Sequence, residues 1–139
     1  RLNMIFEKIN ASNKMPISLN RKLYNLIKKL EDFIPSKPKA SLLHGDLWPG
    51  NILFNNGKLV SLIDPGIYFG HNELEVAYLR WFKFVDTNFI DYYSNIKKID
   101  DYYFKYEPIY QLYFSLLNVH LWSRDYISDV DTLLKKIKI

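Results

Sequence analysis

A change of hydrophobic period in the middle of the chain is the sequence feature that most restricts its fold. Residues 51–54 and 58–63 form two short runs rich in apolar side chains, and Asn55-Asn56-Gly57 separates them. Because an Asn-Gly pair readily adopts the positive φ angles of a tight turn, this segment predicts a β-hairpin. Both runs are short, so we expect a local two-stranded ribbon and no large sheet.

Helical periodicity precedes the hairpin. Two sets of apolar residues recur at intervals of three and four, which predicts two amphipathic helices: Leu2, Ile5, Phe6 and Ile9, then Leu19, Leu23, Leu26, Ile27 and Leu30. We expect Ser18 to cap the second helix, because a serine oxygen can accept hydrogen bonds from the N–H groups of the first turn. Pro35 and Pro38 are expected to follow its end.

The same periodicity returns after residue 72. A wide apolar face predicts a helix that carries Leu74, Ala77, Tyr78, Trp81 and Phe82. Pro108 suits the first turn of a later helix, whose inward-facing residues would be Ile109, Leu112, Tyr113, Leu116, Leu117 and Leu121. Ser128 and Asp131 resemble a capping box for a last helix. The expected fold class is α+β, mostly helical, with one β-hairpin.

Composition excludes several classes of protein. The chain has 139 residues, 48% of them hydrophobic and 17% aromatic, which excludes a disordered chain and fits one domain. The absence of cysteine excludes disulfides, thiolate nucleophiles and Cys-based metal sites. The net charge is +4, but the lysines are scattered, so we expect no nucleic acid as a partner. Because no apolar run is long enough to cross a bilayer, we expect no membrane either. With no long apolar run and no signal peptide, the expected location is the cytoplasm.

Two polar stretches flank the hairpin. The first is His44-Gly45-Asp46-Leu47-Trp48-Pro49-Gly50-Asn51, and the second is Ile63-Asp64-Pro65-Gly66. Together they have the layout of a kinase catalytic loop and of the metal-binding Asp that follows it. Phosphoryl transfer needs a carboxylate near the attacking hydroxyl and oxygen ligands for magnesium, and Asp46 and Asn51 can offer both from one tight loop. The hairpin would return Asp64 to the same edge to hold further metal oxygens.

These stretches resemble a known family. HGDLWPGN followed by IDPGIYFGHNELEVAYLRWF is similar to the fructosamine (ketosamine) kinase family, within the aminoglycoside-phosphotransferase and choline-kinase-like group. The Trp after Asp-Leu, the Asp-Pro pair and the run Tyr68, Gly70, His71, Glu73 favour fructosamine kinases over their relatives. The later Tyr110-Gln111-Leu112-Tyr113 also resembles the family. Gly66 departs from the alanine expected there, and Glu75 stands where the family usually carries an acid.

The resemblance implies roles for individual residues. Asp46 would be the catalytic base, and Asn51 and Asp64 would bind magnesium. Trp48 would form an aromatic floor for the sugar-like substrate, although it can also be read as a core residue. The cofactors implied are ATP and Mg²⁺, and the implied acceptor is a ketosamine or a related small molecule.

Three histidine positions have competing interpretations. His44 is expected to be a structural hydrogen-bonding residue of the loop, because kinase chemistry gives the base role to the Asp. His71 and Glu73 are candidate substrate-binding residues, but they can also simply open the next helix, whose N-terminus favours acidic side chains. His120 is expected to be a core histidine, with the lining of a substrate cleft as the alternative.

The sequence lacks the other parts of a kinase. No Gly-x-Gly-x-x-Gly segment and no Val-Ala-Ile-Lys type strand occurs. We therefore expect residues 1–139 to be the C-terminal catalytic and substrate-binding lobe of a protein-kinase-like, aminoglycoside-phosphotransferase-like fold, and a separate N-terminal nucleotide lobe to be its partner. Two alternatives stay open: a kinase for an aminoglycoside, choline-like or homoserine-like acceptor, and a truncated, non-catalytic kinase lobe.

Overall fold

The fold follows from a computed structural model that describes residues 1–137. The helices of these residues are α1 (Leu2–Ala11), α2 (Ile17–Lys28), α3 (Asn72–Trp81), α4 (Thr87–Ser94), α5 (Tyr103–Leu121) and α6 (Ile127–Ile137). The strands are β1 (Ala40–Leu43), β2 (Ile52–Asn55), β3 (Lys58–Leu62) and β4 (Tyr68–His71). Short 3₁₀ turns cover Leu30–Asp32, Pro49–Asn51 and Arg124–Tyr126. Within this part of the chain, no helix has the length and apolar character needed to cross a bilayer.

The chain divides into two compact units. The first comprises Arg1–Ser36 and Phe104–Ile139, and the second comprises Lys37–Tyr103. In the first unit, the apolar face predicted for the first helix is buried, as are Leu19, Leu23 and Leu26 of α2. Ile27 and Leu30, predicted for the same face as Leu23, are only half-buried, and Leu30 lies beyond the end of α2. Ile9 and Leu23 have no solvent exposure, and neither has Val130 in α6. Burial of these aliphatic side chains is the main favourable contribution to the stability of this unit.

The second unit contains two small sheets. Strands β2 and β3 form the predicted hairpin, in which Asn55 pairs with Lys58 and the turn residues Asn56 and Gly57 have φ angles of 50° and 73°. Strands β1 and β4 form a second antiparallel pair, in which Ala40 faces His71 and Leu43 faces Tyr68. The prediction of a single hairpin was therefore incomplete. Strands β1 and β4 are separated by more than 20 residues, so no local turn signal announces their pairing.

Three predicted helix starts were wrong. Helix α2 begins one residue before Ser18, because the carbonyl of Pro16 already accepts hydrogen bonds from Leu19 and Asn20. Helix α5 begins at Tyr103, which puts Pro108 inside the helix and not in its first turn. Tyr103 and Tyr106 are buried at helical spacing from Ile109, and this burial outweighs the hydrogen bond that a proline removes.

The third error concerns the last helix. Ser128 lies inside α6, and its hydroxyl donates to the carbonyl of Asp125 at 2.9 Å. Asp131 pairs with Lys135 one turn further on. The side chain that caps this region is Ser123, whose oxygen accepts from the N–H of Asp125 at the start of the 3₁₀ turn that leads into α6. Helix α6 therefore begins at Ile127, before the position that a capping box of Ser128 and Asp131 would indicate.

Candidate active site

The loop between β1 and β2 carries the first group of predicted site residues. The chain leaves β1 after Leu43, and the 3₁₀ turn Pro49–Asn51 returns it to β2. Asn51 is buried, and its Nδ2 donates to the backbone oxygen of Asp46 at 2.9 Å and to Asp46 Oδ2 at 3.2 Å. One amide group therefore closes the loop and fixes the Asp46 carboxylate. The structure brings these two residues together, as their spacing predicted.

His44 ties this loop to the segment that carries Asp64. Its Nε2 lies 3.0 Å from the backbone oxygen of Ile63, and its Nδ1 lies 3.4 Å from the backbone nitrogen of Asp46. Since a carbonyl only accepts and an N–H only donates, this pattern assigns the proton to Nε2 and leaves Nδ1 as the acceptor. Both ring nitrogens are occupied by backbone partners, which supports a structural role and not proton transfer.

Asp64 follows the hairpin in an unusual backbone conformation. The N–H of Ile63 donates to the carbonyl of Asn51 at 3.0 Å, so the segment before Asp64 lies against the end of the loop. Gly45 has a φ of 86° and approaches the carbonyl of Gly66 so closely that a Cβ would not fit. Asp64 itself has a φ of 50° and is exposed. Left-handed backbone at an aspartate is uncommon and often marks a functional position.

Glu75 is a site residue that the sequence reasoning noted but did not assign. It lies in the first turns of α3, where its Oε1 accepts from the N–H of Gly45 at 2.7 Å and its Oε2 accepts from the N–H of His44 at 3.3 Å. A single carboxylate therefore binds two successive backbone amides directly before Asp46. The only sequence signal was an acidic residue in the helix that follows the motif. Glu75 and Gly45 are 30 residues apart, and no local sequence pattern predicts a contact over that separation.

Trp48 is on the loop and is 41% exposed, so it is not a core residue. Its ring covers the Cα of Gly50, where a Cβ would overlap the indole. The ring also contacts Phe82 at a centroid separation of 6.5 Å and an interplanar angle of 41°. The indole is thus supported by protein and still presents surface to solvent, as stacking on a sugar-like ligand requires.

His71 and Glu73 form a largely buried network. Glu73 is 1% exposed, and its Oε1 accepts from the N–H of Asp100 at 2.6 Å. His71 Nδ1 lies 3.6 Å from Glu73 Oε2. Burial lowers the pKa of His71 and outweighs the nearby Glu73 charge, which raises it. A carboxylate enclosed in this way anchors the Asp100 segment, which supports the structural alternative for this pair over the substrate-binding one.

The loop and the segment after the hairpin offer oxygen atoms that could bind magnesium. Nδ2 of Asn51 is used by Asp46, and Oδ1 of Asn51 accepts no hydrogen bond within residues 1–137. Together with the Asp64 carboxylate it offers hard oxygen ligands of the kind that Mg²⁺ prefers. Among the described residues, no group of three or more His, Asp or Glu side chains lies close enough together to hold a metal ion without other ligands. A magnesium ion here would therefore need further oxygens, such as the phosphates of a nucleotide.

His120 lies in α5 and belongs to the first compact unit. Its backbone oxygen accepts from Lys14 Nζ at 2.6 Å, and its Nδ1 is buried without a hydrogen-bond partner in the described chain. Lys14 and His120 both belong to the first compact unit, whereas the loop residues belong to the second. We expected a core histidine with its hydrogen bonds satisfied, and this holds only in part, because Nδ1 of His120 has no hydrogen-bond partner in the described chain.

Comparison with known proteins gives a consistent result. A family model described as fructosamine kinase matches residues 1–139. The probable ketoamine kinase of Enterococcus faecium is 34% identical over 106 residues, which are 76% of this chain and 38% of that protein. The chloroplastic protein-ribulosamine 3-kinase of Arabidopsis thaliana is 32% identical over 101 residues, which are 70% of this chain and 31% of that protein.

A solved structure supports the fold. The crystal structure of a candidate fructosamine-3-kinase from Thermobifida fusca superposes with a TM-score of 0.81 at 22% identity. The match covers 96% of this chain and 46% of that one. The chain thus spans less than half the length of the relatives it matches. The family resemblance, which runs across nearly all of the chain and is most specific from Leu42 to Phe82, is confirmed.

Proposed function

This chain belongs to the fructosamine kinase family, and from that premise we propose that it is the catalytic part of an ATP-dependent kinase that phosphorylates a hydroxyl group of a ketosamine. The observation that carries the proposal is the joining of two segments: Asp46 and Asn51 share one closed loop, and His44 ties that loop to the segment bearing Asp64. The names of the relatives, ketoamine kinase and protein-ribulosamine 3-kinase, support this class of acceptor.

In this proposal Asp46 is the catalytic base. It is half-buried, and the Asn51 amide bond to Oδ2 fixes the direction of its carboxylate. A carboxylate held in this way can accept the proton of the acceptor hydroxyl as the oxygen attacks the γ-phosphorus of ATP. The backbone amides of His44 and Gly45, held by Glu75, keep the loop from shifting as charge moves.

Asn51 Oδ1 and the Asp64 carboxylate would hold magnesium. The ion would supply positive charge to the phosphate oxygens during transfer. The exposure of Asp64 and its left-handed backbone support this assignment, because the side chain points away from the packed interior. Asp64 carries a full charge and Asn51 only a dipole, so the aspartate is expected to contribute more to metal affinity.

Trp48 would stack on the sugar portion of the acceptor. Its exposed indole surface lies on the same loop as Asp46, two residues further along the chain. Contact between an aromatic ring and the apolar face of a sugar would orient the hydroxyl toward the base and cost little entropy, because Phe82 already supports the ring.

We propose that further nucleotide contacts come from an N-terminal lobe outside this chain. The chain has no glycine-rich phosphate loop and no strand lysine of the kinase type. The curated relatives are more than twice as long as the matched segment. Asp46 and Asp64 alone would repel the phosphates, so cationic and backbone N–H groups from elsewhere are required for tight binding.

A phosphotransfer assay tests this proposal. The longest open reading frame that contains the chain should be expressed and assayed with ATP against fructosamines, ribulosamines, aminoglycosides and choline. We expect transfer to the ketosamines. Asp46→Asn should lower kcat by about a thousandfold or more with little change in the KM for ATP, because the variant loses the base and keeps the shape.

Two controls make the assay decisive. Asp91→Asn changes an exposed carboxylate in α4 and should leave kcat unaffected. Transfer to aminoglycosides or choline alone would overturn the ketosamine assignment and leave the kinase assignment standing. Near-normal turnover of Asp46→Asn would remove Asp46 from the role of base.

A further inference from the structure

The second unit contains a cavity that the proposed phosphotransfer site does not use. Its volume is about 320 Å³, which is in the range of small-molecule sites. Its apolar side includes Leu43 of β1, Val76 and Leu79 of α3, and Phe89 of α4. None of Asp46, Trp48, Asn51 or Asp64 lines it. The cavity is therefore distinct from the proposed catalytic and metal-binding groups, although Leu47 of the loop and Glu75 line it.

The polar end of the cavity is rich in hydrogen-bond donors. Lys97 is half-buried there, and in the described part of the chain the only hydrogen-bond partner of its side-chain ammonium group is the hydroxyl of Ser41. No carboxylate in the described part of the chain forms an ion pair with the Lys97 ammonium group. An ammonium group has three N–H donors, so at least two of them remain for a ligand.

Two further donors line the same end. Asn72 is 5% exposed, and its Nδ2 forms no hydrogen bond of normal length and angle, although the amide lies near the Tyr93 hydroxyl. Burial raises the pKa of Tyr93, with a smaller opposing effect of the Asn72 amide, so this hydroxyl stays protonated and can donate. A buried amide without a partner is costly, which is a reason to expect an acceptor that the protein itself does not provide.

The one carboxylate that lines the cavity is already committed. Both oxygens of Glu75 accept backbone N–H groups, those of Gly45 and His44. Glu73 and Asp100, whose charges reach His71 as that of Lys97 does, are not among the residues that line the cavity, and Glu73 accepts the N–H of Asp100. The groups that still need partners in the cavity are therefore donors, and a ligand must bring acceptor atoms and an apolar body.

We propose that this cavity binds a small carboxylate with a compact apolar body, its anion at Lys97 and Ser41 and its apolar part between β1, α3 and α4. Such a ligand would contact the residue that holds the amides of Gly45 and His44, so its binding is expected to change the environment of these amides. The proposal does not rest on the proposed kinase activity, because the cavity uses neither the base nor the metal-binding oxygens.

Phenylacetate is a suitable probe, with its neutral isostere phenylacetamide as the matched control. Each is titrated into the ¹⁵N-labelled 139-residue chain while the amide resonances are followed by NMR. We expect saturable shifts of Gly45 with phenylacetate, little change at Gly57 on the hairpin, and affinity about tenfold weaker for phenylacetamide, because it loses the charge-assisted bond. Equal affinities, or no saturable shift up to about 20 mM phenylacetate, would overturn the proposal.

Variants at two neighbouring lysines complete the test. Lys97→Met should weaken phenylacetate binding about tenfold, whereas Lys98→Met, at an exposed position, should change it less than about twofold. An unchanged affinity in Lys97→Met would contradict the proposal. If Lys97→Met does not fold, the affinities of phenylacetate and phenylacetamide for the unsubstituted chain still show whether the cavity prefers the carboxylate.

Discussion

Asn51, His44 and Glu75 each form two hydrogen bonds through one side chain. Asn51 bonds both the backbone and the side chain of Asp46, His44 bonds Asp46 and Ile63, and Glu75 bonds His44 and Gly45. Each bond replaces water around a group that would otherwise be unsatisfied when buried. Preorganisation of this kind is what a phosphotransfer site requires, because positioning accounts for much of its catalysis.

At this scale, the two proposed metal ligands should differ in importance. In the complete protein, Asp64→Ala is expected to raise the magnesium concentration needed for half-maximal activity by about tenfold or more, and Asn51→Ala by less, because an amide oxygen contributes only a dipole. Magnesium titration of the initial rate measures both effects. A larger effect of Asn51→Ala would reverse the order, and an unchanged magnesium requirement in Asp64→Ala would place the metal elsewhere.

Glu75→Gln tests the fixation of the loop. Glutamine keeps the shape, but it loses the charge and turns an NH₂ group toward one of the two backbone donors. We expect the free energy of unfolding of the 139-residue chain to fall by about 1.5–3 kcal/mol, and the Gly45 amide to exchange with solvent faster. Denaturant unfolding and hydrogen exchange measure the two quantities.

The matched control is Glu31→Gln, at an exposed glutamate in a 3₁₀ turn. Its effect on unfolding should stay within about 0.5 kcal/mol. If both variants lost the same small amount of stability, the carboxylate of Glu75 would not be holding the loop.

At the scale of elements, short helices depend on their ends. Helix α4 has only eight residues, and Asp86 caps it by accepting the N–H of Phe89 at 3.1 Å. A helix of this length is not stable alone, so the cap and the buried Ile90 must hold it against the rest of the second unit. Because Phe89 and Tyr93 of α4 line the cavity, the integrity of this helix also decides the shape of the proposed carboxylate site.

Removal of the cap should therefore be measurable. Asp86→Ala is expected to lower the free energy of unfolding by about 1 kcal/mol, the usual value of a lost aspartate cap. Asp91→Ala, at an exposed position of the same helix, should cost less than about 0.5 kcal/mol. Thermal and denaturant unfolding of both variants gives the comparison, and equal losses would show that the cap contributes nothing.

At the scale of the molecule, the hairpin leaves an apolar surface in solvent. Every residue of β3 is exposed, and large apolar side chains on both strands share this exposure: Leu53, Phe54, Leu59, Val60 and Leu62. Exposed apolar area on this scale is typical of an interaction surface. It agrees with a catalytic part that works together with further polypeptide.

The 139-residue chain is expected to fold but to bind MgATP weakly. Its helices bury continuous apolar faces, whereas the proposed nucleotide site has carboxylates and lacks the cationic groups that would balance them. Calorimetry should give a Kd of about 1 mM or weaker, which corresponds to about 4 kcal/mol of binding free energy. Micromolar binding, or phosphorylation of a fructosamine by this chain alone, would show that the nucleotide site is misplaced.

The sequence alone determined what depends on local interactions. The Asn56-Gly57 turn fixed the hairpin, because few residues other than Asn and Gly adopt two successive positive φ angles at low cost. The spacing of Asp46 and Asn51, with Pro49 and Gly50 between them, predicted one tight loop that carries both residues, and the hydrogen bond between them agrees with this loop. Apolar periodicity identified the faces of α1 and α2, since burial follows helical spacing wherever an element packs on one side.

Only the tertiary structure decided the long-range contacts. The pairing of β1 with β4, the bonds from Glu75 to the loop and the contact of Lys97 with Ser41 join residues 25 or more positions apart. No periodicity or turn preference specifies such contacts, because they depend on which surfaces meet once the elements pack. The helix starts near Ser18, Pro108 and Ser128 were missed for a different reason, because burial and neighbouring backbone carbonyls outweighed the side-chain capping preference.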